Sequence, residues 1–372
     1  MAYFMGKKRV FGYFLIALSL TSINATCEKT RTQDRAEMSD SENATGHTPP
    51  SQCNSRLTNI AFCDSMDPPR IILENGMLRV TIYTPNSRCG YYRGTRFDWS
   101  GMIAKVEYNG HSFFSEWKTP HDPSDPGHGI GPAEEFDMET PPLFSAVDSG
   151  DTFVKIGVGK LIKTTNKYFM NTSYPVAEQG LWQIRCEGNK WIEFKQDLTM
   201  ASGWGYSYIK QIYLSQDTPA VTISHTLHNI GNRKITTEHY SHNFITIDEY
   251  PVDSMYRCRF PFVLKVSEKI QRKMEGYAVI SDSVLNITGN LGGKALWAEF
   301  EDLAHVPEEN QCIVTNRLSG ASITVEGTKP PSKYNFYAEK TAVCPEPFVK
   351  FSVSPDESVH WETRLTFKTN EL

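Results

Sequence analysis

Two side chains far apart in this chain are of types suited to moving protons. His242 sits in the run Ile-Thr-Thr-Glu-His-Tyr-Ser-His-Asn-Phe-Ile-Thr-Ile-Asp at residues 235–248, a β-rich and mostly uncharged stretch. Glu346 lies much later, between Pro345 and Pro347. An imidazole and a carboxylate in one hollow, each shifted toward working pH by burial and by the other, make a general acid and a general base. Asn243, the next residue, adds an amide that can hold a ligand hydroxyl. His239 and His242 also invite a metal reading. Positions three apart on a strand face opposite sides, so these two are not expected to share an ion. Neither a metal nor an organic cofactor is expected.

The elements that must position these groups read as strands throughout. Residues 71–73 and 77–83 flank Glu-Asn-Gly and predict a hairpin, with Gly76 supplying positive φ, and residues 102–108 and 111–114 around Asn109-Gly110 predict another. Strands are expected again at 152–158, 181–186, 190–200, 205–215 and 220–228, then at 294–299, 311–316, 320–326, 334–341, 348–353 and 359–368. The strand at 220–228 alternates cleanly, with Val221, Ile223, His225 and Leu227 on one face, so His225 reads as a buried structural residue. Residues 117–142, rich in Pro and Gly, read as a long loop on the rim of a site, and 250–292 as a less regular stretch. No amphipathic helix longer than three turns is expected. The pattern predicts one all-β domain, a large antiparallel β-sandwich over residues 61–372.

Composition narrows the partners. The chain has a formal charge of −5, and residues 1–25 carry Lys7, Lys8 and Arg9 without an acid, so the remainder is more acidic still. Phosphate binding needs a basic face, which argues against nucleic acid. The basic triplet, the apolar run from Phe11 to Leu20 and Ile23-Asn24-Ala25 read as a signal peptide. The apolar run is too short for a membrane span. The expected product is therefore exported, periplasmic or extracellular. Residues 26–60 read as a disordered linker, because 26–55 hold no Val, Ile, Leu, Phe, Tyr or Trp to offset the entropy of ordering. Export permits disulfides among Cys27, Cys53, Cys63, Cys89, Cys186, Cys258, Cys312 and Cys344, and no Cys-x-x-Cys pair suggests zinc.

Around His242 the chain resembles the galactose mutarotase-like superfamily, the aldose 1-epimerases and their relatives. Ser241-His242-Asn243-Phe244 is similar to the family's central His motif, and Leu227-His228-Asn229-Ile230-Gly231 to its strand-then-turn approach. Val343-Cys344-Pro345-Glu346-Pro347-Phe348 looks like the segment bearing the catalytic Glu, and residues 355–367 like the closing strand. The resemblance spans about 95–368 and implies the family's β-supersandwich. It also implies roles: His242 protonates the ring oxygen of a sugar, Glu346 takes the anomeric hydroxyl proton, and reclosure gives the other anomer. The implied partner is a mono- or oligosaccharide.

Two family features are missing. Where an Arg is expected, the chain has Gly157-Val158-Gly159-Lys160-Leu161, and the family's second His has no counterpart in order. Arg93, Arg96, Asp98, Glu135, Lys160 and Lys210 are the candidate substitutes for sugar binding, and the Arg93–Arg96 pair suggests an anionic sugar. Two other classes remain open. One is a non-catalytic carbohydrate-binding protein. The other is a polysaccharide lyase or hydrolase on a related sandwich, for which Tyr240 with Arg93 or Arg96 would supply the base and the charge neutraliser.

Overall fold

The computed structural model describes Leu57–Thr58 and residues 67–369; the expected leader and most of the expected linker lie outside the described residues. The largest sheet has eleven strands in the order β1 (Leu57–Thr58), β10 (Leu181–Glu187), β11 (Trp191–Thr199), β12 (Gly205–Leu214), β13 (Ala220–His228), β23 (Ser358–Thr369), β20 (Ala321–Gly327), β19 (Gln311–Asn316), β15 (Tyr256–Arg259), β17 (Val284–Ile287) and β16 (Ala278–Ser281). A five-stranded sheet runs β18 (Leu296–Glu299), β21 (Lys333–Glu339), β22 (Ala342–Val353), β14 (Ile235–Asn243) and β6 (Pro132–Phe136). Smaller sheets are formed by β2 (Arg70–Glu74), β3 (Leu78–Tyr83), β4 (Met102–Tyr108) and β5 (His111–Phe113), and by β7 (Thr152–Lys155), β8 (Gly159–Ile162) and β9 (Val176–Glu178). All pairings between these strands are antiparallel, as the alternation predicts.

Burial explains the layering. The alternate residues of β11, Ile192, Phe194, Gln196 and Leu198, are buried, and the residues between them are partly open. That is one covered face and one wet face. On the covered side Leu198, Tyr206, Tyr208, Leu227 and Trp361 of the large sheet meet Phe136, Ile235, Val349, Phe351 and Val353 of the five-stranded sheet. The four-stranded sheet packs Leu73, Val80, Ile82 and Ile103 in the same cluster as Ile192, Phe194, Ile212 and Ile223 of the large one. A third cluster, with Tyr91, Tyr92, Phe97, Trp99, Phe244 and Cys344, gathers the irregular segments around β14 and β22. Fully burying a large apolar side chain contributes about 1.5–3 kcal/mol, so these contacts dominate the stabilisation.

Three expectations are corrected. The supposed rim loop at 117–142 contains β6, whose five residues are all buried. Its flanking Pro and Gly residues hid it, and Glu134-Glu135 gave it no apolar alternation. Gly131, at φ +63, makes the turn into β6, and a Cβ there would collide with the carbonyl oxygen of Ile103. The stretch 250–292 is more regular than expected, holding β15, β16, β17 and one short helix, α1 (Glu268–Met274), capped by Ser267. β1 falls within the expected linker and pairs with β10. Cys89 and Cys186 are in disulfides, whereas Cys258, Cys312 and Cys344 are buried free thiols. Among the described residues no helix is long and apolar enough to cross a membrane.

Candidate active site

Strand register brings the two principal residues together. β14 pairs with β22 from Ile235↔Val353 to Tyr240↔Phe348, and there the backbone ladder stops. Carried two residues further, the same register sets His242 opposite Glu346 on the face shared with Tyr240 and Phe348. The side chains meet there, His242 Nε2 lying 3.1 Å from Glu346 Oε1. Pro345 and Pro347 sit where β22 has left β14, so their missing N–H groups break no bond of that ladder. Asn243 bridges the gap, its Nδ2 donating to the Pro345 carbonyl at 2.7 Å. Asn243 was expected to bind substrate; it is wholly buried and ties the two strands together.

Aromatic rings enclose the dyad. Phe244 stacks on the His242 ring with centroids 4.0 Å apart, and Tyr337, Trp117 and Phe97 follow at 5.6, 5.8 and 6.1 Å. The side chains of His242 and Glu346 are only 7% and 6% exposed. Burial, helped by the Arg96 charge, pushes His242 well below its ordinary pKa. Burial also lifts Glu346 to about 8, against the opposing pull of Arg96. A charge on either group is costly here, so the resting pair at neutral pH holds a single proton, on the carboxyl. These directions favour the carboxyl as the resting proton donor, where the resemblance implies the imidazole. The approach of the two groups lies off the hydrogen-bonding line: Glu346 Oε1 has no well-directed partner, nor do His242 Nδ1, Trp117 Nε1 and Asn335 Oδ1. Asn335 is the register partner of Glu346 on β21.

Most of the expected sugar-binding residues are committed elsewhere. Arg96 donates through Nε to Glu135 at 2.8 Å and through a second nitrogen to the Tyr240 hydroxyl at 2.8 Å. Glu135 also accepts from Lys155 at 2.9 Å and from Tyr240 at 2.6 Å. Burial acts to raise the Glu135 pKa, but Lys155 and Arg96 outweigh it and hold the carboxyl low. This buried network supports the dyad from behind and commits Arg96 Nε, one terminal nitrogen of Arg96 and both oxygens of Glu135 to protein partners. Arg93 is separate, donating to the Arg88 carbonyl at 2.6 Å, so the expected anionic-sugar cluster does not form. Tyr240 is a poor base for a lyase, because burial raises its hydroxyl pKa well above the ordinary value. Lys160 is paired with Glu178 at 2.5 Å on β8 and β9.

Asp98 and Lys210 land on the opposite side of β6 and β14. Asp98 accepts from the Ser100 amide and hydroxyl and from the Tyr208 hydroxyl at 2.8, 2.6 and 3.0 Å. Lys210 donates to the Ser100 carbonyl and lies 2.5 Å from Glu134 Oε2. His225 Nε2 and His239 Nε2 are 2.8 and 3.7 Å from Glu134 Oε1. His239 and His242 do face opposite sides of β14, as their spacing requires. Sequence reasoning missed Lys155 and Asn335, took Trp117 as core or rim packing, and used Glu134 only as an acidic mark of the site rim. For Glu134 the usable signal was a pair of acids in a short run bounded by Pro and Phe.

No family model matches this chain, and no curated protein matches it by sequence. Solved structures do match in shape. A Synechocystis protein aligns with a TM-score of 0.54 at 13% identity, over 84% of this chain and 100% of its own. A Klebsiella pneumoniae protein provisionally named an aldose 1-epimerase aligns at 0.51 and 10% identity, over 85% and 91%. A galactose mutarotase-like protein from Lactobacillus casei aligns at 0.50 and 9% identity, over 81% and 100%. The fold is that of the galactose mutarotase-like proteins.

Proposed function

We propose that this protein binds a free sugar, or the reducing end of an oligosaccharide, and interconverts its anomers in the manner of an aldose 1-epimerase. The observation that carries this reading is the buried His242–Glu346 contact at 3.1 Å, ringed by polar atoms that lack protein partners. Ring opening of a hemiacetal needs one acid and one base at adjacent oxygens. Glu346, protonated at rest, donates to the ring oxygen. His242, neutral at rest, takes the anomeric proton. Rotation about C1–C2 and reversal of both transfers close the other anomer, and the single proton returns to its starting place. The assignment of acid and base follows the pKa directions, and each such transfer typically contributes 10²–10⁴-fold to the rate.

A sugar must part the two side chains, which now touch. Trp117 lies over the pair on a segment held by Lys118 Nζ to Glu339 at 3.2 Å, the Thr341 hydroxyl to the Trp117 carbonyl at 3.0 Å, a β-bridge between Glu116 and Ile130, and the stacking of Trp117 on Phe244 at 4.5 Å. Displacing that segment would open the dyad. The closed contact itself favours a second reading, a carbohydrate-binding protein without turnover.

Polarimetry on freshly dissolved neutral and anionic monosaccharides separates the two. We expect the approach to anomeric equilibrium to accelerate with protein concentration, and His242→Ala or Glu346→Gln to lose about 100-fold or more. If wild type is no faster than His242→Ala on every sugar, turnover is excluded. Saturation-transfer NMR binding to the same sugars would then favour the binding reading.

A further inference from the structure

The polar cluster on the other face of β14 has a different character. Glu134 on β6, His225 on β13 and His239 on β14 converge from both sheets, with one donor atom of each lying within 4.8 Å of the others. All three are buried, at 1%, 0% and 3% exposure. His225 Nε2 is 2.8 Å from Glu134 Oε1, yet neither atom makes a well-directed hydrogen bond, and His239 Nε2 has none either. Two atoms this close that do not point at each other are what results when both aim at a third.

We propose that Glu134, His225 and His239 bind one divalent transition-metal ion, zinc in the first place, which cross-links the five-stranded sheet to the eleven-stranded sheet. Two imidazoles and one carboxylate are a recognised zinc donor set. Ligand atoms about 2.05 Å from a tetrahedral ion stand about 3.3 Å apart. The separations of 2.8 and 3.7 Å from Glu134 Oε1 straddle that value, and the two imidazole nitrogens, within 4.8 Å of each other, would draw together by up to about 1.5 Å on an ion.

The surroundings orient the ligands. Lys210 takes the Oε2 side of Glu134 at 2.5 Å and leaves Oε1 to face the two imidazoles. Trp361 stacks on His225 at 4.8 Å with an 8° tilt and lies edge-on to His239 at 5.1 Å, which fixes both rings. This inference does not depend on the proposed sugar chemistry, because His242 and Glu346 are on the other face.

The test is metal analysis of tag-free full-length protein expressed with zinc, followed by cobalt(II) titration of protein stripped with a chelator. We expect about one zinc per chain, and visible d–d bands of tetrahedral cobalt without the near-ultraviolet charge transfer of thiolate ligands. His239→Ala and His225→Ala should lower retained metal about tenfold or more, whereas His242→Ala should retain it in full. Wild type without retained zinc and without cobalt bands would overturn the proposal, leaving a His225–Glu134 ion pair in its place. Thiolate bands, or equal loss in His242→Ala, would also overturn it by locating the metal elsewhere. If the His225 and His239 variants do not fold, the wild-type cobalt titration decides alone.

Discussion

The two faces of β14 carry polar clusters of opposite design. Tyr240 and His242 look toward the layer of irregular segments that includes Trp117 and Phe97, and His239 looks into the space between the two large sheets. On the first face burial disfavours a charge on either member of the dyad, the Arg96–Glu135–Lys155 network backs it, and a loop segment covers it. On the second face Glu134, Asp98, Lys210 and two histidines are walled by sheet on both sides. A loop can move to admit a ligand, and two packed sheets cannot without losing core contacts. The difference suits the covered face to the proposed reaction chemistry and the enclosed one to the proposed metal cross-link, although residues of one strand serve both.

Removing the support of the first face should have the largest effect. Glu135→Ala leaves Arg96 and Lys155 buried without their counter-ion, and we expect about 3–5 kcal/mol of destabilisation in urea unfolding. A loss below about 1 kcal/mol would mean that water already reaches this network and that the two faces are less distinct than their burial implies.

Asn243→Ala probes the joint between the faces. It removes the donor to the Pro345 carbonyl, so about 1–3 kcal/mol of stability should be lost. Anomerisation should fall through kcat rather than KM, because Asn243 is wholly buried and aligns β14 with β22. A selective rise in KM would restore the original expectation that Asn243 binds sugar.

The pH dependence sharpens the contrast. Glu346 is raised from its ordinary 4.5 to about 8 by burial. A carboxyl raised in the folded state contributes stability fully below its unfolded pKa, and that contribution is lost as pH climbs through the folded value. Wild type should therefore lose stability relative to Glu346→Gln between about pH 4.5 and 8, by up to about 1.4 kcal/mol per unit. Activity should fall above about pH 8 as the dyad gives up its proton. Identical stability profiles for the two proteins would remove the neutral dyad from the account. The smallest effect is expected for Arg93→Ala, which belongs to neither cluster: sugar affinity should stay within about twofold by titration calorimetry.

Much of this was legible in the chain. The strand at 220–228, the hairpin around Asn109-Gly110 and the pairing of His242 with Glu346 all rest on local patterns or on motif order. β6 was not legible, because a strand buried on both faces with two adjacent acids has neither the alternation nor the apolar run that marks strands. Arg96, Asp98, Glu135 and Lys210 looked like free ligand-binding groups because charged residues are ordinarily exposed, and here each is spent on another buried charge.

What the chain determines by itself is the all-β architecture and the face each residue takes, since side-chain alternation is a property of any extended backbone. From that parity alone His239 and His242 had to part company. Which partners wait on either side was decided only by tertiary structure. Glu134, His225 and Lys210 meet His239 because β6, β12 and β13 come from two different sheets, and no spacing in the chain encodes a contact across that gap. The same packing removes water from both clusters, and burial sets where their protons rest.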